Sequence, residues 1–284
     1  MKAKLLLSTQ RSGSHFVKSF IETHFPSVEC SSEILREPNP DIHEAPALES
    51  RPEAPAFWAW YETEAAAGRI SVSPGKRLTA FATYLTQLVA IGAPKDLVID
   101  VKYNSIRSLS GFWDCEYGSS DFTSFLTSQE IPVLHLIRRN SLRTLISNKL
   151  ATQTGIWFRT EDRSRSEVLP RLRLNPKDVI NCIRYQERVT QDYKNQFHGS
   201  ADYEEVFYED LVEEQYAPEP GQNVRAISRF LAKPLIGPIQ APLRYKKTTP
   251  EDPSEVVENW NEVLRALQTT EYGWMAQNPF LAAA

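Results

Sequence analysis

The sequence predicts a three-layer α/β sandwich: a central, mostly parallel sheet with helices on both faces. Three observations predict it. Short apolar runs of strand length alternate with stretches of helical periodicity, the pattern of βαβ units. Twice, such a run gives way to an arginine-bearing turn and then at once to a helix. The chain has 284 residues, 41% of them hydrophobic, enough to cover both faces of such a sheet.

The elements follow in order. Leu5-Leu6-Leu7 reads as a buried strand, and Phe16, Val17, Phe20, Ile21 and Phe25 mark the helix after it. Residues 38–56, rich in Pro, Glu and Ala, read as an insertion within a single domain spanning residues 1–284. The aromatic run Phe57-Trp58-Ala59-Trp60-Tyr61 comes next. Leu78, Phe81, Ala82, Leu85 and Val89 have helical spacing. Leu97 to Val101 and Ile131 to Ile137 are strands, and Leu142, Leu145, Ile146 and Leu150 share one face of the following helix. A long helical pattern runs from Asn175 to Phe197, behind an Asn-Pro start. Tyr203 to Tyr208 is a fourth strand. Helices around Val224–Leu231 and Val256–Leu267 end the chain, and no internal repeat is visible.

Bulk properties exclude several classes. A net charge of -4 and a pI of about 5.8 argue against a general nucleic-acid binder. The three cysteines, Cys30, Cys115 and Cys182, are scattered and form neither a disulfide framework nor a zinc pattern. The apolar run at the N-terminus is too short for a secretory signal, and no run reaches membrane-spanning length. A soluble, cytoplasmic protein is expected. Neither nucleic acid nor a membrane span is expected, and a homodimer is compatible with the chain.

The most informative segment is Ser8-Thr9-Gln10-Arg11-Ser12-Gly13-Ser14-His15. A turn that delivers the chain into a helix N-terminus presents backbone N–H groups and the positive end of the helix dipole. Ser12 and Ser14 add hydroxyls, Arg11 a rigid fork of donors, and Gly13 lets the backbone approach an anion. The loop is P-loop-like without being a Walker A sequence, which needs two spaced glycines followed by Lys and Ser/Thr. A helix start capped by serine, beside a surface arginine, would look much the same. The segment Arg138-Arg139-Asn140-Ser141-Leu142-Arg143-Thr144-Leu145-Ile146-Ser147 repeats the logic, with arginines at a strand end and a serine on the helix beyond.

Together the two segments resemble the sulfotransferases that use 3′-phosphoadenosine 5′-phosphosulfate (PAPS). In that family a strand-loop-helix near the N-terminus binds the 5′-phosphosulfate. An arginine followed eight residues later by a serine binds the 3′-phosphate, the spacing of Arg139 and Ser147. The Gln-Arg-Ser-Gly-Ser wording and the later Thr154-Gly155-Ile156-Trp157 look most like the bacterial carbohydrate branch, including the trehalose 2-sulfotransferase group. Tyr208-Glu209-Asp210-Leu211 is similar to a short signature ending a later strand of the family.

The resemblance implies that Gln10, Arg11, Ser12, Gly13, Ser14, His15, Arg139 and Ser147 hold the donor, and that no metal is needed. It implies in-line sulfuryl transfer to a hydroxyl or amine of a small polar acceptor such as a carbohydrate or natural product, releasing adenosine 3′,5′-bisphosphate (PAP). Arg11 would stabilise charge on the bridging oxygen. Glu33 best matches the branch's catalytic glutamate and would be the base, with Glu29 its rival and His15 an auxiliary. Lys102, at a strand end, would meet donor or acceptor; the basic loop with Arg244, Lys246 and Lys247 reads either as a solvated surface or as a cover over the 3′-phosphate, and Phe57, Trp58, Trp60, Tyr61, Trp113 and Trp157 either as core or as a stacking surface for the acceptor. This chain departs from the cytosolic animal branch, which has lysine in the first loop and a histidine base. The competing readings are a nucleotide kinase or phosphate-loop NTP hydrolase, with Asp100 near a strand end to hold magnesium, and a non-enzymatic nucleotide-binding module.

Overall fold

The computed structural model describes residues 3–35, 47–48, 51–91, 95–109, 120–156, 159–160, 169–237, 239, 245–246 and 249–277. Its centre is a five-stranded parallel sheet: β1 (Ala3–Ser8), β2 (Val28–Glu33), β3 (Asp96–Lys102), β4 (Val133–Ile137) and β5 (Tyr203–Phe207), in the order β2-β3-β1-β4-β5. The helices are α1 (Ser14–His24), α2 (Phe57–Ala66), α3 (Arg77–Ile91), a single turn α4 (Tyr103–Ile106), α5 (Ser120–Ser128), α6 (Ser141–Thr154), α7 (Pro176–Gln196), α8 (Tyr208–Glu214), α9 (Gln222–Leu231) and α10 (Trp260–Gln268). Two short antiparallel ribbons, Ala47–Leu48 with Arg51–Pro55 and Arg159–Thr160 with Tyr245–Lys246, lie outside the sheet.

Strand alternation divides the core. Leu5, Leu7, Leu97, Ile99, Val101 and Val133 face one way, against Phe57, Phe81, Phe122 and Tyr193 of α2, α3, α5 and α7. Leu6, Val98, Leu134, Leu136 and Val206 face the other way, against Val17 and Phe20 of α1 and Val224, Ile227 and Phe230 of α9. A parallel sheet covered on both faces reads as continuous apolar runs, which is why β1, β3 and β4 stand out in the sequence. A third cluster, including Leu142, Ile146, Val179, Ile183, Val263 and Leu267, packs α6, α7 and α10 together. Asn175 caps α7, accepting from Lys177 N at 3.0 Å, with Pro176 at the first helical position. No helix among the described residues is long and apolar enough to cross a membrane.

The structure adjusts some sequence readings. β2 was not anticipated: Val-Glu-Cys-Ser-Ser-Glu has no apolar run, because this is an edge strand. β4 starts at Val133 and not at Ile131. Tyr208 opens α8 instead of closing β5. The aromatic run proves to be core: Phe57, Trp60 and Tyr61 are buried, and Trp60 Nε1 donates to Gln87 Oε1 at 2.7 Å. Trp113 and Trp157 lie outside the described residues, as do Arg244 and Lys247.

One polar group is enclosed within the first core. His135 is fully buried between Tyr103, whose hydroxyl bonds Nε2, and Tyr203, whose Oη lies 2.6 Å from Nδ1. Tyr203 Oη donates to Glu205 at 3.2 Å, so Nδ1 carries the ring proton and Nε2 accepts from Tyr103. Burial, helped by Lys194, pushes the imidazole pKa down to about 3 from 6.5. Below pH 6.5 the unfolded chain takes up this proton and the folded chain does not, so folding stability falls as pH drops. At 1.36 kcal/mol per unit the loss from this histidine is about 2 kcal/mol between neutrality and pH 5. His15, held down to about 4 mainly by burial, acts with the same sign. Urea unfolding at pH 7 and pH 5 is expected to show this loss, and His135→Gln to remove its own share of the slope. Equal slopes in the two proteins would mean that His135 is not held neutral in the fold.

Candidate anion-binding and active site

Because the sheet is parallel, the carboxyl ends of its strands meet at one edge, where ligands of open α/β sheets bind. Ser8, Glu33, Lys102 and Arg138 all lie there, with Ser8 level with Lys102 and Leu136. The loop between β1 and α1 is strained in a specific way. Arg11 and Gly13 both have left-handed backbones, φ 61° and 96°. At Gly13 a Cβ would lie 2.3 Å from two carbons of the Tyr208 ring, so only glycine fits. Tyr208 in turn meets Phe16 edge-on, with ring centroids 5.8 Å apart, and carries the Arg138 guanidinium 5.0 Å over its face.

The helix start is not capped by serine. Gly13 is the N-cap of α1 and no side chain bonds the first-turn amides. The Ser14 hydroxyl instead accepts from Lys102 Nζ at 2.7 Å, and the same ammonium donates to Ser8 Oγ at 2.8 Å and pairs with Asp100 at 2.8 Å. Lys18 approaches the other Asp100 oxygen at 3.5 Å and donates to Ser31 O at 3.1 Å. Asp100 and Lys102 are 1% and 2% exposed. Burial alone would push the Asp100 carboxyl up, but Lys102 and then Lys18 outweigh it and hold it below the ordinary carboxylate value. A carboxylate neutralised by two ammonium groups is poorly placed to bind magnesium, which counts against the kinase reading.

The structure joins the two arginine-bearing segments. Arg11 Nε donates to Ser147 Oγ at 2.9 Å, and Arg138 Nη1 donates to the Arg11 carbonyl at 2.8 Å. Gln10 Nε2 donates to Glu33 Oε2 at 3.1 Å, so the loop also reaches the carboxylate at the end of β2. Glu29 is level with Leu97 and, through it, with Ala3, at the opposite edge of the sheet. Four residues of strand, about 13 Å, separate it from Glu33. The register therefore favours Glu33 over Glu29 as the group beside the loop.

Arg139 goes elsewhere. Its guanidinium forms a bidentate pair with Asp210, with Nη2 2.6 Å from Oδ2, and lies 4.2 Å over the Phe207 ring. Its side chain is 43% exposed. Glu209, the neighbour of Asp210, accepts from the backbone N–H groups of Arg139 and Asn140 at 3.1 and 3.2 Å. The start of α6 is thus closed by a protein carboxylate together with the Asn140 side chain, which accepts from Arg143 N at 3.0 Å. Arg143 is turned onto the carbonyls of Pro250 and Glu251, tying the segment after the late basic loop to α6.

Positive charge is left in excess at this edge. Burial and then Arg138 lower the Arg11 pKa to about 10, and the same two causes lower that of Arg143 against the opposing effect of Glu251 and Asp252. His15 is lowered to about 4 by burial and then Lys18; Asp100 opposes the shift, while Lys102 and Arg11 add to it. A cation whose pKa is lowered by burial and by a neighbouring cation is stabilised by an added anion. Ser12 Oγ and Arg138 Nε are among six buried side-chain atoms of the described residues that make no hydrogen bond, and both lie near this loop, where a phosphate or sulfate oxygen would fit as acceptor. The sequence names Arg138 beside Arg139 and gives Lys102 little weight; the polar partners of Arg138 and Lys102 appear only when the strands are in register.

Fold and site together define a P-loop-like three-layer α/β protein with a cationic loop between its first strand and helix. No protein-family model matches the chain, and no curated protein matches it. Among solved structures it is similar to the sulfotransferase domain from the curacin biosynthetic pathway: 11% identity over 96% of this chain and 98% of that one, TM-score 0.44. It is also similar to the sulfotransferase domain from the Synechococcus PCC 7002 olefin synthase, at 14% identity, 94% of each chain and TM-score 0.37.

Proposed function

We propose that this chain is a PAPS-dependent sulfotransferase that transfers a sulfuryl group to a hydroxyl or amine of a small polar acceptor, such as a carbohydrate or natural product. The contact between Arg11 Nε and Ser147 Oγ carries the reading, because it unites at one sheet edge two motif segments 136 positions apart. The whole chain acts as one domain, with residues 38–56 as an insertion. The free thiols of Cys30 and Cys182 fit a reducing cytoplasm.

PAPS supplies an activated sulfuryl group on a leaving group that is already phosphorylated. The residues present suit such a polyanionic ligand: Arg11, Ser12, Ser14, the amides of the loop and Ser147 would hold it. Lys102 ties the loop to the end of β3 by donating to Ser8 and Ser14. Glu33 would take the acceptor's proton at its carboxylate, with Gln10 fixing its orientation. His15 is neutral at pH 7 and is the next base in line.

Calorimetry with PAP, AMP and ATP tests the reading. PAP is expected to bind most tightly and to stabilise the fold by about 2.7 kcal/mol at a hundredfold excess over its Kd. Stabilisation by AMP equal to that by PAP would remove the 3′-phosphate from the proposal. Tighter binding of ATP with magnesium would favour the kinase reading. An acceptor screen reading an added sulfuryl mass then names the second substrate.

A further inference from the structure

The strand order puts Glu33 and the second arginine segment on opposite sides of the anion loop. In the order β2-β3-β1-β4-β5, the outlets of β4 and β5 lie to one side of the loop after β1, and those of β2 and β3 to the other. Ser147, on the helix after β4, meets the loop from the first side, and Glu33 meets it from the second. An acceptor that gives its proton to Glu33 therefore lies over the outlets of β2 and β3.

Two side chains brace those outlets. Trp58 Nε1 donates to the carbonyl of Leu35 at 3.0 Å, and Leu35 is two residues, at most about 7 Å of chain, beyond Glu33. Arg77, the half-buried first residue of α3, donates from Nη1 to the carbonyl of Ser108 at 2.9 Å. Ser108 follows the single turn α4 that leaves β3, and its N–H folds back onto Ser105 O. The Arg77 guanidinium lies 5.9 Å over the Trp58 ring, so fork and indole close one wall between the two outlets. A guanidinium has five N–H donors, and among the described residues this one uses a single donor, on a neutral carbonyl. Arg69, Arg139 and Arg229 instead each hold a carboxylate with two N–H groups. Lys76 and Arg107, the exposed sequence neighbours of Arg77 and Ser108, pair with no carboxylate among the described residues either. The wall is cationic and carries a flat aromatic face.

We infer that Arg77, backed by Trp58, determines acceptor specificity by binding an oxyanion, a carboxylate or a phosphate, carried by the acceptor. The acceptor is then an acidic molecule and not a neutral sugar. A fork held against an indole is preorganised for two parallel N–H···O bonds, which a lone hydroxyl cannot match. Lys76 and Arg107 draw the same charge toward the wall. That this ligand is a sulfuryl acceptor rests on the sulfotransferase reading; the oxyanion site itself is tested separately.

Phenyl phosphate, benzoate and phenol are titrated into the full chain saturated with PAP, which is expected to fill the donor loop, and binding is followed by ligand-observed NMR. The same titrations are run on Arg77→Met, Arg77→Lys and Arg69→Met. The unaltered chain and Arg69→Met are expected to bind at least one of the two anions about tenfold or more tighter than phenol, and Arg77→Met to lose that preference. Arg77→Lys, which keeps the charge without the fork, is expected to fall between. The tighter anion tells carboxylate from phosphate. Urea unfolding is run on each variant, and if Arg77→Met does not fold, Arg77→Lys against Arg69→Met decides. No preference for either anion in the unaltered chain, a full preference in the folded Arg77 variant that decides, or an equal loss in Arg69→Met overturns the inference. If the chain binds no PAP, the sulfotransferase reading fails, and the titrations are repeated without PAP and with Arg11→Met added. A preference lost in Arg77→Met and kept in Arg11→Met then still supports an oxyanion site at Arg77, and any other result overturns it. With an acceptor found in the screen, Arg77→Met is expected to raise its KM about tenfold at unchanged PAP affinity. A preferred acceptor without an oxyanion overturns the inference.

Discussion

Glu33→Gln is expected to lower turnover by about a hundredfold or more while leaving PAP affinity near normal. The substitution keeps the shape of the side chain and its contact with Gln10, but an amide cannot take the acceptor's proton. The groups proposed to hold the donor, Arg11, Ser14 and Ser147, come from other elements, so nucleotide affinity should not follow turnover down. Glu29→Gln is the control. It changes the same charge at the opposite end of β2, level with Leu97, and is expected to keep full activity. Rates are measured with the acceptor found in the screen, and affinities by calorimetry. A dead Glu29→Gln beside an active Glu33→Gln would transfer the role to Glu29 and contradict the register argument. Full activity in both would leave His15, neutral at pH 7 and in the first turn of α1, as the group to change next.

The layered architecture was legible because a parallel sheet covered on both faces writes itself as apolar runs: Leu5 to Leu7, Leu97 to Val101 and the run ending at Ile137. β2 was hidden because an edge strand in contact with polar groups carries no such run, and Glu33 therefore read as a loop residue. The P-loop-like turn was legible from its residue types, yet the serine that the sequence offers as a helix cap turned out to serve Lys102. The second segment shows what spacing leaves open. Arg139 and Ser147 are eight positions apart, but spacing does not reveal that the Arg139 guanidinium pairs with Asp210. The signal that could have shown it lies 70 residues away in Glu209 and Asp210. Two carboxylates in a short turn would neutralise whichever arginine faced them, and they face Arg139. Similarly, Lys102 gained meaning only when register set it beside Ser8.

Lys102→Met is expected to destabilise the fold by about 3–5 kcal/mol, the cost of breaking a buried ion pair from one side. The methionine fits the volume of the lysine stem, so the loss is electrostatic rather than a cavity. Asp100, 1% exposed, would keep only Lys18 at 3.5 Å, and the hydroxyls of Ser8 and Ser14 would lose their donor. The double variant Asp100→Asn with Lys102→Met removes both charges and is expected to recover a large part of the loss, so the two changes are not additive. The pH dependence gives a second readout. In the unaltered chain the Asp100 carboxyl lies below its ordinary value, so its contribution is present at neutrality and is lost as pH falls through the folded pKa. Without Lys102 the carboxyl rises. The folded state then binds the proton more readily than the unfolded chain, and the penalty shrinks on acidification. Urea unfolding of the three variants at pH 7 and pH 5 measures both effects. A cost below about 1 kcal/mol for Lys102→Met, or additive costs in the double variant, would show that the Asp100–Lys102 pair does not hold the carboxyl end of β3 against the anion loop.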